Sequence, residues 1–93
     1  MTTIAVTEME PLHFGVQVEE GNVVSSCRVR VAEGFLDDLL LGDIDPARIV
    51  RESVAFLLDR EPATSLPADL SLDTVARDYP EYYDELRARL AAG

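Results

Sequence analysis

Between Leu12 and Val31 the chain alternates apolar and polar side chains with a period of two, and this alternation constrains the fold more than any other feature. Leu12, Phe14, Val16 and Val18 share one face of an extended segment, while His13, Gly15 and Gln17 take the other. After Glu19–Asn22 the pattern resumes, with Ser25, Cys27, Val29 and Val31 in one set. Two such runs around a Gly-containing turn predict a β-hairpin with one core face. A loop over Glu19–Asn22 would set Val18 opposite Val23, Val16 opposite Ser25, Phe14 opposite Cys27 and Leu12 opposite Val29. Arg28 and Arg30 then project together from the outer face, as candidate partner-binding residues. Ile4 to Met9 is a candidate third strand, which leaves residues 1–10 as either a strand or a tail.

Downstream the spacing becomes helical. Phe35, Leu36, Leu39 and Leu40 form one stripe, and Gly42 reads as a helix stop. Asp45 is placed to cap the next helix, Pro46 suits its first position and Pro62 forbids its continuation. Ile49, Val50, Val54, Phe56, Leu57 and Leu58 give that helix an apolar arc covering about half its circumference, which marks it as central. Ser71 is the expected cap of a short helix carrying Leu72, Val75, Ala76 and Tyr79. Pro80 opens a last helix. The expected fold is α+β, one small domain over residues 1–93. It has an N-terminal antiparallel hairpin or three-stranded meander followed by about four helices.

The stretch Arg77–Leu86, RDYPEYYDEL, concentrates three tyrosines and four carboxylates. On a helical projection Tyr82 and Tyr83 fall on the same stripe as Leu86 and Leu90. Glu81, Asp84 and Glu85 favour the helix start, and Arg87 and Arg89 its end. The stretch reads mainly as a helix start, with Tyr82 and Tyr83 as further candidates for contact with a partner.

Charge narrows the function. Eighteen carboxylates oppose eight arginines, there is no lysine, and the net charge is −10. Such a chain repels phosphates, which argues against nucleic acid as a partner. The apolar runs are far shorter than the roughly 20 residues of a membrane span. The opening MTTIAVTEMEP lacks the basic start and apolar stretch of a signal peptide, so the cytoplasm is the expected compartment. Cys27 is the one cysteine, read as a buried thiol, and His13 is expected on the opposite side of the sheet from it. A Cys–His nucleophilic pair is therefore not expected, nor is a zinc site. Asp43 and Asp45 lack the remaining spacing of a calcium loop, and without lysine there is no phosphate-binding P-loop. Neither an enzyme nor a cofactor is expected.

From Arg28 to Glu61, RVRVAEGFLDDLLLGDIDPARIVRESVAFLLDRE resembles ribbon-helix-helix repressors and antitoxins in its order of strand, helix, turn and Pro-initiated helix. The resemblance implies a dimer whose paired strands enter the DNA major groove, with Arg28 and Arg30 reading bases. The sequence differs from that family in a strand already paired within its own chain, a shorter first helix, and Asp45 where a phosphate contact is expected. The second half is similar to the tails of small uncharacterised bacterial proteins with an "FLL-x-REP" helix end and a "YPEY"-like helix start, a likeness that implies no activity. The leading expectation is a non-catalytic protein acting through protein–protein association and forming a homodimer. A ribbon-helix-helix-like regulator is the alternative, and an acidic DNA-mimicking inhibitor a further one.

Overall fold

Two tight turns organise the N-terminal third of the chain. In the computed structural model, which describes residues 2–31, 34 and 44–92, β1 (Thr2–Glu10), β2 (His13–Glu20) and β3 (Val23–Arg30) form an antiparallel meander. The second turn is Gly21-Asn22, so the β2–β3 loop has two residues rather than the four expected. Gly21 has φ +62°, which suits the first position of a tight hairpin turn. The register consequently shifts by two: Val18 faces Ser25, Val16 faces Cys27 and Phe14 faces Val29. A shift of two leaves every side chain on its expected face, which is why the core pattern survives the correction.

The first turn is less relaxed. Leu12 follows Pro11 with φ 64°, a left-handed conformation that costs a non-glycine residue about 1–2 kcal/mol. Two contacts hold it there: its side chain packs against the core, and its carbonyl accepts a bond from the Val31 N–H at 2.9 Å. A register break between Glu8 and Glu10 marks a β-bulge at Met9.

The fourth strand, β4 (Asp69–Ser71), pairs in parallel with β3, setting Leu70 beside Val29. The sheet order is β1-β2-β3-β4. No strand is expected from the sequence around β4. With three residues and a single buried apolar side chain, it has too little alternation to be recognised.

Three α-helices lie among the described residues: α1 (Pro46–Leu58), α2 (Leu72–Asp78) and α3 (Tyr82–Ala92), with a 3-10 turn at Ala63–Ser65. The helix expected around Phe35–Leu41 falls outside the described residues. Asp45 caps α1 as expected, accepting a bond from the Ala47 N–H at 3.0 Å. Ser71, the last residue of β4, occupies the cap position of α2, but its hydroxyl makes no cap bond.

The sheet and α1 enclose one core. Phe14, Val16, Val18, Cys27, Val29 and Leu70 point from the sheet into Ile49, Val50, Val54 and Phe56 of α1. The opposite side of α1 packs against α3, which contributes Tyr82, Leu86 and Leu90. The half-circumference arc of α1 is thus used on two fronts. Arg48 of α1 donates to the Leu90 carbonyl at 2.9 Å, satisfying an end of α3.

Candidate functional site

The period-two alternation that fills the core has a second product. On β2 and β3 every residue between two core residues faces away from the helices, and His13, Gln17, Ser26, Arg28 and Arg30 are all exposed there. Thr74 of α2 borders this face. Arg28 and Arg30 both project from it, and neither has a carboxylate within ion-pairing distance among the described residues. His13 stands directly across from Arg30, and Asp69 directly across from Arg28.

These residues line a groove of about 630 Å³, with Met9 and Ser71 at its sides. A shallower hollow of about 530 Å³ adjoins it, sharing Met9 and Arg28 and floored by Ala5, Gly15 and Ala68. Small floor residues make the trough, and Met9 is the large apolar side chain exposed above it. The Met9 sulfur passes so close to Gly15 that an added β-carbon there would lie 3.1 Å from it. Glycine at this position lets the methionine lie flat on the sheet. Met9 was not a sequence candidate, since its placement depends on the bulge.

Tyr82 and Tyr83 are placed differently from the arginines. Tyr82 is fully buried and Tyr83 half-buried. The Tyr82 ring packs tilted against Phe56 with centroids 5.2 Å apart, Tyr79 meets Phe56 edge-on at 5.6 Å, and the Arg60 guanidinium covers the same Phe56 ring. Ser53 donates to the Ile49 carbonyl at 2.7 Å, which uses its one proton, so the Tyr82 hydroxyl donates to Ser53 Oγ. Burial pushes the Tyr82 phenol pKa well above its ordinary value. The tyrosine-rich stretch therefore builds an aromatic cluster under the sheet, and in this fold Tyr82 has no surface with which to meet a partner.

Chemistry is sparse. Cys27 is buried on the inner face and His13 exposed on the outer, so the two are separated by the sheet. Burial raises the thiol pKa of Cys27, which disfavours its reactive thiolate. Among the described residues no three His, Cys, Asp or Glu side chains gather to hold a metal ion, and no helix is long and apolar enough to cross a membrane.

Over Arg28–Arg30, β3 is flanked by β2 on one side and β4 on the other. In ribbon-helix-helix proteins the corresponding strand pairs with that of a second subunit, whereas here the arginine-bearing stretch has both edges taken within the chain. The chain matches no family model, no curated protein sequence and no solved structure.

Proposed function

We propose that this chain is a non-catalytic protein–protein association module of the cytoplasm and that it pairs with a second copy of itself. One observation carries the reading: among the described residues the outward side chains of β2 and β3 are largely exposed, together with Met9 and Val24. Met9 is 59% and Val24 56% exposed, an apolar content that association would remove from water. Arg28 and Arg30 add guanidinium groups that pair with no carboxylate among the described residues, in a molecule whose net charge is strongly negative. A two-fold pairing is the commonest way for such a surface to be covered.

Molar mass from light scattering on a sizing column, at two concentrations, tests the reading. The expected result is a mass approaching twice that of the chain at the higher concentration. The chain mass at both concentrations would refute self-association.

A further inference from the structure

The two edges of the sheet are unequal. β4 has three residues and is continued directly by α2, whereas β1 has nine and pairs with nothing on its outer side among the described residues. Natural edge strands are commonly blunted by short length, proline, charge or a bulge. Along β1 these devices appear only towards the end, at Glu8, Glu10 and the bulge between them. Thr2–Thr7, TTIAVT, carries no charge, no proline and no bulge.

The backbone parity of this edge follows from the turn. In a two-residue hairpin the residues flanking the loop exchange both backbone bonds, here Glu20 and Val23, and every second pair does the same. The even-numbered residues of β2 therefore bond towards β3 and the odd-numbered ones towards β1. The geometry of β3 agrees: the Arg28 N–H points away from β2 and donates to the Ala68 carbonyl at 2.8 Å. Thr3, Ala5 and Thr7, opposite Glu19, Gln17 and Gly15, accordingly bond inward. The N–H and C=O groups of Thr2, Ile4, Val6 and Glu8 point outward. The side chains of Ile4 and Val6 face the core yet are only half-buried, and no described strand pairs on that flank.

We propose that β1 pairs antiparallel with β1 of a second copy about a two-fold axis at Ala5, joining two four-stranded sheets into one. The proposal rests on the self-association reading above but places the contact at the sheet edge, and the outer face with Met9 and Val24 stays open. In this register Ile4 meets Val6 of the second copy on the core side. Thr3 meets Thr7 and Ala5 meets Ala5 on the outer side, so apolar faces apolar and small faces small. The outward groups of Thr2, Ile4, Val6 and Glu8 all find partners. The Ala5 pair falls at a position without mutual backbone bonds, where side chains approach most closely and alanine fits best. Glu8 and Glu10 of the two copies stand at opposite ends of the joint, which keeps its centre free of charge. Because each copy carries −10, added salt should strengthen this contact by screening the repulsion between copies.

Two variants at the exposed Ala5, with a control at Gln17, test it. Ala5→Glu places like charges at the axis and should raise the dimer dissociation constant at least about tenfold, with the circular dichroism of the fold unchanged. Ala5→Cys should give a disulfide-linked dimer under mild oxidation, whereas Gln17→Cys, one strand further in, should not. A wild-type dimer that Ala5→Glu leaves intact, or an Ala5→Cys protein that does not cross-link, overturns the edge pairing while leaving self-association standing. A wild-type protein that is monomeric at all concentrations overturns both.

Discussion

Phe14 and His13 are neighbours in sequence and stand on opposite sides of one sheet, and the two sides have opposite physical character. The inner side is closed: Phe14, Val16, Val18 and Val29 are each at most 2% exposed, and the polar atoms deepest in the core, those of Ser53 and Tyr82, satisfy one another. The outer side is open, with small residues on its floor, two guanidinium groups and a methionine lying flat. Stability thus resides on one side, and the surface free to recognise something lies on the other. The difference shows that a single alternating pattern can specify both, because each residue given to the core fixes its neighbour outside it.

The sharpest way to break this contrast is to open the closed side. Phe14→Ala should cost about 3–5 kcal/mol, the usual cost of truncating a buried aromatic, measured as a loss in urea midpoint. Tyr82→Phe keeps the ring packing and removes the bond to Ser53, and should cost about 1–2 kcal/mol. The same variant carries a pH signature. Because the folded phenol pKa is raised, its stabilisation is complete below the unfolded value of about 10 and is lost as pH climbs beyond it. Urea midpoints at pH 8 and pH 10.5 should therefore fall less for Tyr82→Phe than for the wild type. An equal fall would show that Tyr82 is not the group responsible.

On the open side the expected effects are small and of either sign. Gly15→Ala should be neutral or raise stability by up to about 1 kcal/mol, since the backbone there is not left-handed and the Met9 side chain can move aside. The double change Arg28→Ala and Arg30→Ala should alter the urea midpoint by no more than about 0.5 kcal/mol. A large loss from the arginine pair would mean that the outer face supports the fold, and the contrast between the sides would fail.

Much of this was legible from residue spacing. Alternation placed Phe14, Val16, Val18 and Val29 inside and Arg28 and Arg30 outside, and it survived a loop two residues shorter than expected because parity is all that a face requires. Asp45 and Pro46 announced α1 through chemistry specific to helix starts. β4 was not legible, because three residues cannot establish a period and its pairing depends on where α1 returns the chain. The Ser53–Tyr82 contact was half legible: the stripe placed Tyr82 with the leucines, but a serine inside an apolar arc gives no hint of its partner. The trough and the open edge depend on strand order and on the bulge at Met9, neither of which alternation encodes.

The parallel pairing of β4 with β3 also sets an order of events in time. The β1–β3 meander needs only contacts between neighbouring segments, whereas Arg28 cannot meet Asp69 until the whole stretch between them, α1 included, has been made and brought back. On a ribosome, the meander emerges before the helices that will cover its apolar face exist. In that interval the apolar face stays open to other chains, and its burial waits on the synthesis of α1 and α3.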